Sequence, residues 1–294
     1  MKQNKEGETN TIIGMVTNGT IMNDEIISYI KDYNIQVTIS YDGNPIVNDI
    51  MRIFPSGGGT SNIILDNIKK LKEITGQPTT IEVTYNNNHV LNNIAIIDII
   101  NYLNDSVGNI PLHITPVAVD VDSPFRLENK DEFIKAVDDI FDKEKNVNNS
   151  TYSLVQRIVS SLISKKTSKY ICEAGVGGVS ISTKGDVYPC FMFTDEDDLQ
   201  MGNINDNNLF NSSRFKEVIN RFDKFNKNDN DECNKCFVRN ICSGCLGINY
   251  IEKGETFNLS KSYCEMTRSM TERVILNLYK LKEVKKSSKS DSYV

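Results

Sequence analysis

Seven cysteines carry the chemistry this sequence can offer: Cys172, Cys190, Cys233, Cys236, Cys242, Cys245 and Cys264, four of them inside the thirteen-residue stretch CNKCFVRNICSGC. An odd count in a chain without a secretion signal argues against a disulfide framework, which needs an oxidising compartment and usually an even number. Core packing explains single buried cysteines, but four thiols flanked by Asn, Lys and Gly do not make a hydrophobic face. Metal is left. Thiolates in a short loop converge on a soft centre because a C-x2-C pair turns tightly and points both sulfurs inward, as in zinc knuckles and iron–sulfur sites. Zinc takes four ligands per ion, and paired knuckles usually separate their C-x2-C halves by more than the five residues found here. One iron–sulfur group held by four thiolates and a second held by three account for seven, the second having an iron that is open or bound by a non-cysteine ligand. Spacing alone assigns no cysteine to either group, and a zinc-stabilised protein stays as an alternative.

The elements that must position these thiols are read from hydropathy. An apolar run, TIIGMV, leads through TNGT into the amphipathic IMNDEIISYIKDYN, where Ile26, Ile27 and Ile30 fall at helical spacing. The same order recurs three times: IQVTIS with TSNIILDNIKKLKEITG, TTIEVTY with LNNIAIIDIINYLND, and IPLHITPVAV with KDEFIKAVDDIFDKEK. Four successive βα units predict parallel strands with helical crossovers, since parallel neighbours cannot be joined by a tight hairpin. Ligands in such folds sit at the carboxyl ends of the strands, here TNGT, SYDG, TYNNNH and ITPVAVD. A further helix, TYSLVQRIVSSLISKK, leads to a loop-rich region that holds every cysteine, closed by the helix TRSMTERVILNLYKLKEV packing back on the body. The boundaries expected are 11–167 for the α/β part, 168–284 for the thiol-rich part and 285–294 for a disordered tail; the first ten residues are expected to fray as well.

Composition narrows the function classes. A net charge of −6 and a pI near 5.2 argue against a nucleic-acid surface, which needs clustered Lys and Arg. Apolar runs far shorter than ~18 residues exclude a membrane span of helical type, and a cytoplasmic location is the expectation.

Taken in order, Cys172-x12-Gly185-x4-Cys190, then Cys233-x2-Cys236-x5-Cys242-x2-Cys245, then Cys264 resembles the SPASM extension of radical S-adenosylmethionine enzymes, which reads C-x9–15-G-x4-C, C-x2-C-x5-C-x3-C, then C. The departure is the gap between Cys242 and Cys245, two residues where the family usually has three. The resemblance implies two auxiliary 4Fe-4S clusters: one on Cys172, Cys190 and Cys245, the other on Cys233, Cys236, Cys242 and Cys264. Some relatives add a further Cys between positions matching 172 and 190; this chain has none there, which leaves an iron open to a substrate group. The α/β part resembles the later strands of a radical SAM partial barrel, so the implied fold is a partial (β/α) barrel fragment of about four βα units, a loop-rich SPASM domain and a C-terminal helix. By the same likeness Ser40, Asp42 and Arg52 lie near the methionyl group of S-adenosylmethionine, although Ser40 and Asp42 also suit a turn before Gly43 and Arg52 a solvated charge. YPCFMF is similar to maturases of Cys-rich ribosomal peptides; Phe191 stands where sulfatase maturases usually place Asp, which argues against formylglycine formation.

The family's C-x3-C-x2-C motif, and the first two βα units that carry it, are not in this sequence. The resemblance therefore implies a Cys-rich precursor peptide as partner and S-adenosylmethionine as cofactor only if a separate N-terminal radical SAM half is supplied; an incomplete gene copy and a repurposed, non-catalytic iron–sulfur or peptide-binding module stay open. TIIGMV would then be an exposed apolar edge strand. Among the lesser signals, GVGG at Gly175 lacks the spacing of a dinucleotide fingerprint. The glycine run Ser56–Thr60 can offer backbone amides to an anion at a helix start, with a flexible loop as the expectation. His113 is expected within a strand, where it could point into a barrel but is more commonly a satisfied core histidine, His89 in a loop, and Thr194–Asp198, TDEDD, as a solvated acidic turn or a contact for a basic leader peptide.

Overall fold

The computed structural model describes residues 12–120, 122–143 and 151–290. Two compact units divide the chain: Met1–Val117, Pro124–Val159 and Arg273–Val294 form the first, Ala118–Ser123 and Ser160–Glu272 the second. The expected N-terminal tail and 291–294 of the C-terminal one lie outside the described residues, whereas 285–290, expected to be disordered, continue a helix.

The first unit is built on four parallel strands, β1 (Gly14–Thr17), β2 (Gln36–Ser40), β3 (Thr80–Tyr85) and β4 (Leu112–Pro116), whose spatial order follows the chain order. That is the order of a (β/α) barrel wall; a doubly wound sheet reverses direction at a switch point. The crossovers are α1 (Asp24–Asp32) between β1 and β2, α2 (Pro45–Met51) and α3 (Ser61–Thr75) between β2 and β3, α4 (Asn87–Leu91) and α5 (Ile96–Val107) between β3 and β4, with α6 (Asp131–Lys143) after β4. Their apolar stripes bury Ile27 and Ile30, Ile64 and Ile68, Ile99 and Leu103, Val137 and Ile140. The strands bury Val37, Ile39, Ile81, Val83, Leu112 and Ile114.

Pleating sends alternate side chains to opposite faces, and the register lines up Thr38 with Thr80, Ser40 with Glu82, Glu82 with His113 and Thr84 with Thr115. These residues are half-buried. A parallel sheet covered by helices on both faces reads as continuous hydrophobic strands; this one has one apolar face and one polar face, as the inner wall of an open barrel requires. At the edge, β1 exposes Val16, with Ile12 and Ile13 just ahead of it.

Two short helices were not expected. Asn44 caps α2 by accepting from Ile46 N at 2.9 Å, and Pro45 fills the first helical position, where its missing N–H costs nothing. Asn86 caps α4 through Asn88 N at 2.9 Å.

The second unit begins within α7 (Ser153–Ser164) and carries an antiparallel sheet of β5 (Ser180–Ile181), β6 (Asp186–Tyr188) and β7 (Gly202–Asn203). The β5–β6 turn closes with Gly185 N on Ser182 O at 2.9 Å, and Gly185 adopts φ +86, a conformation that favours glycine. Around this sheet lie α8 (Ser213–Lys224), the single turn α9 (Asp231–Asn234), α10 (Leu246–Lys253) and the start of α11 (Lys261–Ser290). Val187, Phe193, Phe215, Val218, Phe222 and Leu246 make its core, and Cys172, Cys190 and Cys233 pack against that core half-buried. No helix among the described residues is long and apolar enough to cross a membrane.

Candidate metal centres and strand-end site

All seven thiols belong to the second unit and none forms a disulfide. Cys233, Cys236, Cys242 and Cys264 line one cavity of about 40 Å³ together with Lys227, Glu232, Arg239 and Arg268. Local structure explains the convergence. Asn230 caps α9 by accepting from Cys233 N at 3.0 Å, and a tight turn closes with Cys236 N on Cys233 O at 3.0 Å, which brings the C-x2-C pair to one side. Cys242 N bonds to Val238 O at 2.8 Å, folding the loop back on itself. Cys264 arrives from the first turn of α11, its amide on Ser260 O at 3.0 Å.

Cys245 sits at the N-cap of α10 and faces a different set, Cys172 and Cys190, which act on it electrostatically. The Met192 thioether lies 3.6 Å from the Cys245 sulfur, held against Gly247, where a Cβ would come within 2.5 Å of the Met192 sulfur. The chain thus sends Cys242 to one group and Cys245 to the other. Between them Gly244 passes so close to Ile171 that a Cβ would stand 2.8 Å from its Cγ2.

Electrostatics describe what the thiols lack when left alone. Burial, then neighbouring Cys242 and Cys236, push the Cys233 thiol up to about 11; burial, then Cys242 and Cys233, push Cys264 up to about 11. Burial raises Cys242 and Cys245 too. Low-dielectric crowding of this kind keeps thiols protonated until a cation takes the proton's place. No three described His, Cys, Asp or Glu side chains are close enough to share a single metal ion. A lone zinc, with Zn–S bonds of ~2.3 Å, draws its thiolates tightly together. Four thiols around one cavity supply the soft donor set that an iron–sulfur group takes.

The strand-end residues form a tighter assembly than the sequence suggested. Asp42, directly after β2, is buried, and both carboxylate oxygens are engaged: Arg52 donates through Nε at 2.8 Å and Nη2 at 3.0 Å, and Thr84 N donates at 3.1 Å. Asp42 is therefore neither a plain turn former nor a free carboxylate; it holds the Arg52 guanidinium at the mouth of β2 and β3, and Arg52 is not a solvated charge. Ser40 lies on the polar face beside Glu82, whose carboxyl is raised by burial against the pull of Arg52. His89 is not a loop residue: it is buried in α4, accepts from Asn86 N at Nδ1 (3.1 Å) and donates from Nε2 to Asp42 O (2.9 Å), so it stands as the neutral Nε2–H tautomer. His113 is on β4, half-buried on the polar face, with Nδ1 3.0 Å from Ser153 Oγ. The anion at the glycine run comes from the chain itself: Asp49 accepts from Thr60 N at 2.9 Å and Ser61 N at 2.8 Å, at the start of α3.

Comparison with known proteins agrees with this layout. Residues 172–237 match the SPASM iron–sulfur cluster-binding domain. The chain is 24% identical over 273 residues to the radical SAM cyclopropyl synthase TigE of Paramaledivibacter caminithermalis, covering 89% of this chain and 53% of that protein; it spans about half the length of the curated relative it matches. Among solved structures, native anSMEcpe with bound AdoMet superposes with a TM-score of 0.73 at 18% identity, over 95% of this chain and 77% of that one. The form described with AdoMet and Kp18Cys peptide gives 0.69 at 18% identity, over 95% and 78%. Sequence and fold thus agree on an iron–sulfur cluster-binding segment at 172–237 in a chain similar in sequence to a radical SAM enzyme and similar in fold to an AdoMet-bound one.

Proposed function

We propose that this chain, a SPASM domain on a radical-SAM fold, is the C-terminal portion of a peptide-modifying maturase acting on a Cys-rich ribosomal peptide. In this reading Cys172, Cys190 and Cys245 hold one auxiliary 4Fe-4S group, and Cys233, Cys236, Cys242 and Cys264 hold the other. The observation that carries it is the sorting of seven thiols into a set of four around one cavity and a set of three around Cys245. Such groups, when bound, accept or pass single electrons or hold a substrate thiolate at an open iron. The chain's own residues bind and shield: the polar face of the sheet, from Ser40 and Glu82 to His113, lies beside the Arg52 guanidinium that Asp42 orients. S-adenosylmethionine belongs there when a radical SAM half carrying C-x3-C-x2-C is supplied; by itself this chain should yield no 5′-deoxyadenosine from it.

The test is anaerobic reconstitution of the full chain followed by iron, sulfide and zinc analysis. About eight irons and as many sulfides per chain are expected for two four-iron groups. A colourless protein holding zinc and no sulfide would overturn the reading.

A further inference from the structure

Lysine is almost never fully buried unless something compensates its charge. Lys227 is 1% exposed. Its backbone N–H donates to Lys169 O at 2.7 Å, and its Nζ reaches into the four-thiol cavity and donates to the carbonyl of Cys242 at 3.0 Å. A neutral carbonyl alone is poor compensation for a buried ammonium. Arg239 and Arg268 line the same cavity, against a single carboxylate, Glu232. Three basic residues thus line the cavity of the four thiols, the Arg239 guanidinium being held by Asn234. The surroundings of Cys245 are of another kind: two thiols and the Met192 thioether.

We infer that the Lys227 ammonium is the built-in counter-charge of the four-thiol centre, and that it makes this centre more readily reduced than the same four thiols would be without it. The inference rests on the iron–sulfur reading above. A thiolate-held iron–sulfur group is net negative and gains one more negative charge on one-electron reduction, so a buried cation beside it favours the reduced form, and favours it more strongly in low dielectric. Lys227 is a positioning and tuning residue in this account; it donates to a carbonyl and ligates nothing. Lysine suits the place because its charge is a compact point on a flexible stem.

The experiment is a dithionite titration of the reconstituted full chain, monitored by electron paramagnetic resonance at controlled potentials, with Cys245→Ala used to assign the four-thiol signal. In Lys227→Met, iron and sulfide contents should match the parent. The ratio of reduced to oxidised four-thiol centre at a fixed potential should fall at least tenfold, ~59 mV for one electron, while the three-thiol signal stays in place. Lys227→Arg should restore the parent's ratio. Equal ratios in Lys227→Met and the parent, at equal iron content, overturn the inference. If Lys227→Met takes up no iron, Arg239→Gln and Arg268→Gln decide: a smaller shift in the same direction supports the counter-charge, and no shift in either overturns it. A parent chain that binds no iron and sulfide overturns this inference and the reading beneath it together, whereas a loaded chain indifferent to Lys227 sinks the inference alone.

Discussion

The carboxylate of Asp49 fills the space that a side chain on Gly59 would need: a Cβ there would stand 2.3 Å from Asp49 Cγ. That carboxylate accepts from the amides of Thr60 and Ser61 and from Ser61 Oγ at 2.6 Å, so it serves as the anion at the start of α3 from eleven residues upstream of Thr60. Gly59→Ala should therefore displace the carboxylate and cost about 1–3 kcal/mol, a typical overpacking penalty, read as a lower urea midpoint. Burial alone would raise the Asp49 carboxyl, but the hydrogen bonds from Ser61, Asn48 and Thr60 hold it below its ordinary 3.8. A depressed carboxylate stabilises the fold above 3.8 and loses that contribution as pH falls through its lower folded value. Asp49→Asn should flatten the stability loss in that acid range.

Asp42 and Arg52 should be far less tolerant of change. Removing the carboxylate in Asp42→Ala leaves the Arg52 guanidinium unpaired at the mouth of the sheet and strips Thr84 N of its acceptor. About 2–4 kcal/mol should be lost, discounted from the ~3–5 of a fully buried pair because Arg52 keeps a quarter of its side chain in solvent. Arg52→Lys keeps the charge and loses the two-pronged geometry, so it should recover only part of that loss. Equal stability of Arg52→Lys and the parent in denaturant titrations would show that the fork is not what matters.

The two histidines give the fold a second pH dependence. Burial, then the charge of Arg157, lowers His113 to about 4; burial lowers His89 as well. Both are neutral when folded, so the unfolded chain binds more protons below ~6.5 and stability declines as pH drops from that value toward 4. The His113 share is on the order of 3 kcal/mol at most. His113→Gln should reduce the slope of the unfolding free energy between pH 6.5 and 4, leaving the His89 part; an unchanged slope would place His113 in a more solvated setting.

Much of this was legible in the sequence, and the reasons are local. TTIEVTY alternates because one face of β3 meets helices and the other is polar, and the βα repeats set a parallel sheet in chain order. The seven cysteines announced a metal-binding region by number and spacing. What escaped notice depends on contacts distant in the chain. α2 is the exception, because its signal is local: Asn44 as the cap and Pro45 at the first helical position. His89 looked like part of an Asn-rich loop because nothing local says that its Nε2 meets Asp42 O, 47 positions away. Lys227, inside the polar FNKNDND, reads as a solvated charge; only the fold of the Cys242 loop buries it.

The sharpest consequence concerns Cys242 and Cys245, three positions apart and facing different partners. Were the CSGC segment a single C-x2-C hook, both sulfurs would serve one centre, and removing either would empty the same site. The structure instead divides them, with the backbone at Gly244 pressed against Ile171 so that the chain can turn between the two sets. Cys242→Ala should therefore lose about half the iron and sulfide and keep the signal of the three-thiol centre, while Cys245→Ala should lose the complementary half and keep the four-thiol signal. Cys264→Ala should behave like Cys242→Ala although 22 residues separate them, because the start of α11 delivers Cys264 to the same cavity. Metal analysis and low-temperature electron paramagnetic resonance on the three variants decide the matter: matching spectra for Cys242→Ala and Cys245→Ala would mean that the thiols share one centre, and the division of labour drawn from their packing would be wrong.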